Sequence, residues 1–170
     1  MQVVYRSHRR LKYKMDSVDD VSLADYRALA EFRHQIRKFL GFSEGQARAC
    51  GLEPQQHQLL LAVQGLPPGK KANIGELAAR LRLKHHSTVE LVNRLEAMGA
   101  AVRVRGEEDR RQVVVQLTPR GLVLLRKLSL AHRHELETAG PELARALRAA
   151  MRGSTKTARS YPVRPRSGHS

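Results

Sequence analysis

Residues 73–117 read NIGELAARLRLKHHSTVELVNRLEAMGAAVRVRGEEDRRQVVVQL. Asn73-Ile-Gly-Glu76 is a helix-start signature, a capping side chain followed by an acid at the third helical position. Ile74, Leu77, Ala78 and Leu81 then follow at i, i+3, i+4 and i+7, which predicts a short amphipathic helix. The next helix turns Thr88, Leu91, Val92, Leu95 and Met98 inward, and Gly99 is placed to end it as a C′ residue. Its outer face shows His86, Ser87, Glu90, Asn93 and Arg94. Val102 and Val104 alternate with Arg103 and Arg105. Beyond Gly106-Glu-Glu-Asp-Arg-Arg111, Val113, Val115 and Leu117 alternate with their neighbours, so two period-two strands close a hairpin around a charged turn. Helix, turn, helix, hairpin is the order of a winged helix–turn–helix.

Working outward, Ser22-Leu-Ala-Asp25 is a second capping signature. Leu29, Phe32, Ile36, Phe39 and Leu40 behind it predict a long first helix, which Gly51 is expected to end. A second helix starts at Pro54 and runs through Leu59–Val63 to Gly65, before a Pro-Gly loop. Thr118-Pro119 opens a long helix carrying Leu122, Leu125, Leu128 and Leu136. Gly140-Pro141 is expected to interrupt it, with a final short helix on Leu143, Leu147, Ala150 and Met151. The fold class is thus mainly α with a small β-hairpin wing (α+β), the winged lobe at 54–118 lying between helices at 22–50 and 119–151. Those flanking helices carry apolar stripes longer than one lobe can cover, so a twofold dimer interface is the expected remedy.

The 170 residues carry 31 Lys+Arg against 16 Asp+Glu, a formal +15. Residues 1–14 and 152–170 hold ten of those cations and no acid, leaving residues 15–151 near +5. Both ends, 1–21 and 152–170, are expected to be disordered, and Met15 is a second candidate start. The basic balance points to a polyanion, nucleic acid before a membrane surface. No apolar run approaches the ~20 residues of a membrane helix, and no secretory signal precedes the first helix, so a cytoplasmic chain is expected. One cysteine, Cys50, excludes an intramolecular disulfide and a cysteine-based zinc finger.

A helix fits the major groove of duplex DNA and reads base edges with its outer face and first turn. Ser87, Glu90 and Arg94 stand at i, i+3 and i+7, one line along a groove. The recognition-helix candidates are His85, His86, Ser87, Thr88, Glu90, Asn93 and Arg94. The wing candidates are Arg103, Arg105, Asp109, Arg110 and Arg111. An arginine at a wing tip suits the minor groove, and Asp109 can hold one extended. Lys70, Lys71 and Lys84 are candidate phosphate contacts, which position without reading sequence.

These residues resemble the MarR-type transcriptional regulators. The resemblance spans about Asp25 to Met151 and is most specific at Asp109-Arg110-Arg111 running into Leu117-Thr-Pro-Arg-Gly121. Glu76-Leu77-Ala78 and Ser87-Thr88-Val89 through Arg94-Leu95-Glu96 to Gly99 match its helix–turn–helix. The resemblance implies a homodimer whose two lobes read a pseudo-palindromic operator in double-stranded DNA. It implies Arg111 in the minor groove, oriented by Asp109. It also implies repression relieved by a small phenolic or other anionic effector, other members responding to cysteine oxidation or to zinc; no cofactor and no enzymatic activity are expected. Glu90 and the pair His85-His86 depart from an ordinary base-reading surface. The histidines would make DNA affinity depend on pH between about 5.5 and 8.

Other signals weigh less. Cys50 lies at the end of the first helix with no resolving thiol, which favours a plain thiol over a redox sensor. His132 and His134 fall on different helix faces and cannot chelate one metal; His34 and His57 can join a composite site only from other helices. His34 with Tyr26, Arg33 or Arg37 offers a carboxylate pocket less naturally than a solvated face. There is no phosphate-cradling loop, nucleophile motif or base–orienter pattern. The rival readings are a nucleoid-like module of low sequence preference, a redox regulator built on Cys50, and an interaction module that has lost DNA binding.

Overall fold

The computed structural model describes residues 21–105 and 112–152. Within them the order is α1 (Leu23–Ala49), α2 (Pro54–Gln64), α3 (Ile74–Leu81), α4 (His85–Ala97), β1 (Ala101–Arg105), β2 (Val113–Leu117) and α5 (Pro119–Arg152). Of the ends expected to be disordered, 1–21 and 152–170, all but Val21 and Arg152 lie outside these residues, as does the wing tip at 106–111; Arg152 is the last residue of α5.

Local chemistry sets most of the boundaries. Ser22 Oγ accepts from the Asp25 N–H while the Asp25 carboxylate accepts from the Ser22 N–H, the reciprocal cap that starts α1. Asn73 Oδ1 accepts from the Glu76 N–H and starts α3. At the end of α4 the Ala100 N–H reaches the Leu95 carbonyl at 2.8 Å and the Gly99 N–H reaches Glu96 at 2.8 Å. That doubled closure needs a left-handed C′ residue, and Gly99 supplies it at φ 67°. Thr118 then ties the far end of the wing to this turn. Its Oγ1 donates to the Gly99 carbonyl at 2.6 Å and accepts from the Gly121 N–H at 3.1 Å. Gly121 has no room for a side chain, because a Cβ there would stand 2.0 Å from the Ala100 carbonyl oxygen.

The core of the lobe gathers Leu52, Leu59, Leu60, Leu77, Leu91, Val92, Leu95 and Val115 with Leu125 and Leu128 of α5. The antiparallel pair β1–β2 places Ala101 opposite Leu117, Arg103 opposite Val115 and Arg105 opposite Val113. The period of two in β1 holds, but the face turned inward is that of Ala101 and Arg103, while Val102 is exposed. Val115 donates its N–H to the Ala72 carbonyl at 2.9 Å, so the loop before α3 takes this outward group of β2.

α5 corrects one expectation. Gly140-Pro141 does not interrupt it; the helix runs unbroken from Pro119 to Arg152 with Pro141 inside. A proline removes one rung and crowds the preceding turn. Here α1 lies along that turn, where Gln35, Lys38 and Phe39 meet Leu136, Ala139, Gly140 and Leu143. Lys38 also pairs with Glu142 at 3.7 Å. Packing outweighs the local preference.

Candidate nucleic-acid interface

The helix–turn–helix is tight. α3 ends at Arg82, which adopts the left-handed region at φ 55° although it is not glycine. The Leu83 N–H then closes onto the Ala78 carbonyl at 2.9 Å, and Lys84 becomes the N-cap of α4. The turn costs about 1 kcal/mol in backbone strain at Arg82. What it delivers is an α4 whose first turn projects from the lobe.

That first turn has neither a capping side chain nor an acid. Its free N–H groups and the helix dipole face outward beside the exposed Lys84, His85 and His86. Glu90, Asn93 and Arg94 are exposed further along, and Ser87 is half-buried. Thr88 is a correction to the candidate set. It is 0% exposed and its hydroxyl bonds back to the Lys84 carbonyl at 3.1 Å, so it belongs to the core side of α4.

The basic candidates divide. Lys70 is engaged with Glu76 at 3.1 Å, Lys71 is exposed, and Lys84 sits at the head of α4. Arg80 and Arg82, not singled out from sequence, are also exposed beside the turn. Arg105 is exposed where β1 leaves the lobe. Asp109, Arg110 and Arg111, the wing-tip candidates, lie outside the described residues.

Arg103 is placed differently from its expected role. Its guanidinium lies on α4, where it bonds the Glu96 carboxylate, Asn93 Oδ1 at 2.8 Å and the Val89 carbonyl at 3.4 Å. The Arg103 backbone N–H also donates to Glu96, at 2.9 Å. Sequence reasoning gave Glu96 no role of its own. Its only signal was a carboxylate in the last turn of α4 just before a chain reversal, opposite an arginine three positions into the next strand.

A second polar cluster lies where α1, α2 and α5 meet. His57 and His132 stack with ring centroids 4.8 Å apart, and Phe39 and Phe42 meet His132 edge-on. The Leu128 carbonyl can only accept, so His132 Nδ1–H donates to it at 2.6 Å, leaving Nε2 for the Ser43 hydroxyl at 2.7 Å. His57 is buried, and that burial, with His132 adding to it, lowers its pKa from the ordinary 6.5. His134 is exposed beside Glu137, so the two histidines of α5 do point apart. Among the described residues no cluster of three or more His, Cys, Asp or Glu is arranged to hold a metal, and no helix is long and apolar enough to cross a membrane. Cys50 caps α1, half-buried against the core.

Residues 51–112 match the MarR family model. The fold is that of MarR-type regulators. AbsC, a MarR family transcriptional regulator from Streptomyces coelicolor, superposes with a TM-score of 0.60 at 19% identity over 73% of this chain and 83% of its own. RV1404 from Mycobacterium tuberculosis gives 0.60 at 21% identity, covering 76% and 92%. The transcriptional repressor CouR, solved on a 23-mer DNA duplex, gives 0.56 at 24% identity, covering 78% and 96%. No curated protein sequence matches the chain.

Proposed function

We propose that this chain, which has the fold of MarR-type regulators and matches their family model over residues 51–112, works as a homodimeric, sequence-specific repressor on double-stranded DNA, released by a small phenolic or anionic effector. One observation carries the DNA reading. α4 buries Leu91, Val92 and Leu95 beneath it and presents an uncapped, cation-flanked first turn with Glu90, Asn93 and Arg94 behind. Free N–H groups at a helix start suit a phosphate, and the polar groups beyond it suit base edges. Repression and DNA engagement draw support from CouR, a repressor solved on DNA. Effector release rests on the family resemblance alone.

The dimer rests on side chains left outside. Leu23, Tyr26 and Leu29 of α1, with Leu122, Val123, Leu130, Leu136, Leu147 and Met151 of α5, are large apolar groups at 41% exposure or more. A second copy is the natural cover, and it would bring two α4 helices to successive half-sites.

Binding to a duplex selected by the protein from a random library tests the reading. Arg111→Ala should weaken that binding by about 1–3 kcal/mol, the scale of a lost groove contact. Unchanged affinity removes the wing from the mechanism. The basic ends favour a second reading, a low-preference DNA coat; it predicts a steep salt slope and no enriched sequence.

A further inference from the structure

We propose that Arg103 is a positioning residue that sets the recognition helix against the wing and fixes how Asn93 faces DNA, rather than a phosphate contact. The inference rests on the DNA reading above and deepens it.

Arg103 and Val115 are opposite each other in the ribbon, and both backbone N–H groups point away from the partner strand, Val115's to Ala72 and Arg103's to Glu96. β1 therefore has a free edge, and the last turn of α4 closes it. Glu96 takes the strand's N–H with one carboxylate oxygen and the guanidinium with the other. The same guanidinium spans back to Asn93 Oδ1 and the Val89 carbonyl, two turns of α4 held by one fork. The side chains are only 27% and 30% exposed, so solvent competes weakly for this pair. α4 and β1 share the core on their inner side, through Leu95, Ala100 and Ala101, and the clamp ties them together on the outer side.

The clamp has a chemical consequence at Asn93. An asparagine reads adenine with a paired acceptor and donor. With Oδ1 bonded to Arg103, the Nδ2 group is what Asn93 turns to a partner, so it suits acceptors: purine N7, guanine O6, thymine O4, or a phosphate.

The test measures wild type, Arg103→Ala, Arg103→Lys and Glu96→Gln against two probes, a duplex selected by the wild type from a random library and a scrambled duplex, across a salt series. Positioning predicts that all three variants lose roughly tenfold or more on the selected duplex with the salt slope unchanged. Lysine keeps the charge but not the fork, so it should fail as alanine does. A phosphate contact predicts the opposite pattern: Arg103→Lys retains binding, Arg103→Ala weakens both duplexes in parallel, and the alanine variant's slope falls by about one. Glu96→Gln is the sharpest arm, since freeing an arginine and removing a negative charge would then raise affinity. Any of these outcomes overturns the proposal.

Amide exchange in the free protein separates the clamp from the DNA reading. The Arg103 N–H should exchange about tenfold faster in Glu96→Ala. An unchanged rate overturns the clamp whatever DNA does. If the rate changes but the wild type enriches no duplex, the DNA reading fails and the Asn93 specificity falls with it.

Discussion

The outer face of α4 shows Lys84, His85, His86, Glu90, Asn93 and Arg94 to solvent, while the outer faces of α1 and α5 show Tyr26 at 60% exposure, Val123 at 69% and a run of leucines. Both faces belong to helices that bury their other side against one core. A polar outer face can wait in water for a charged partner and let it go again. An apolar one cannot wait without aggregating, so it must find a permanent cover. On the proposed reading the lobe serves a reversible partner and the arms a standing one. Between them lies the His57–His132 stack, where α2 of the lobe meets both arm helices.

The largest expected effect comes from the arms. Val123→Asp with Leu130→Asp places two charges on the exposed apolar face of α5 without touching α4. The protein should then sediment as a single subunit, and affinity for a selected duplex should fall by about a hundredfold or more as two-headed binding is lost. A double variant that keeps its mass and its affinity would erase the distinction between the two faces.

Next comes the seam where the lobe continues into α5. Gly121→Ala forces a methyl against the Ala100 carbonyl, backbone on backbone. It should cost about 3 kcal/mol, the upper end for overpacking, in a denaturant titration. A loss below about 1 kcal/mol would mean that the start of α5 can slide, and that lobe and arm are less rigidly joined than the Gly121 contact implies.

The smallest effect sits at the joint. The folded chain holds His57 below its ordinary 6.5, so as pH falls through 6.5 the unfolded chain takes up the proton first. The stability this ring contributes is full above 6.5 and is lost as pH falls toward the folded value. The thermal midpoint should fall as the solution is acidified from neutral, and His57→Gln should flatten that fall. An equally steep fall in the variant would take His57 out of the pH dependence.

Much of the fold is legible in the sequence because it is local. Caps at Ser22 and Asn73, the stop at Gly99 and the two-residue alternation around the wing depend on neighbours a few positions apart. Pro141 misleads for the same reason. A local rule gives a break there, and only the distant α1, lying along that turn, restores the helix. Arg103 shows the other limit. Alternation tells that Arg103 and Val102 point to opposite sides, but which side is inner depends on where α4 lies after the chain reverses. Placing Thr88 on the recognition face errs although its own periodicity already turns it inward.

Consider finally the two-stranded ribbon, whose margins are Ala72 on one side and Glu96 on the other. The outward N–H groups at Val115 and Arg103 are already spoken for, which shortens the edge open to strand-by-strand growth into fibres. Crowded samples should associate through helix contacts that close on themselves, giving discrete particles rather than threads.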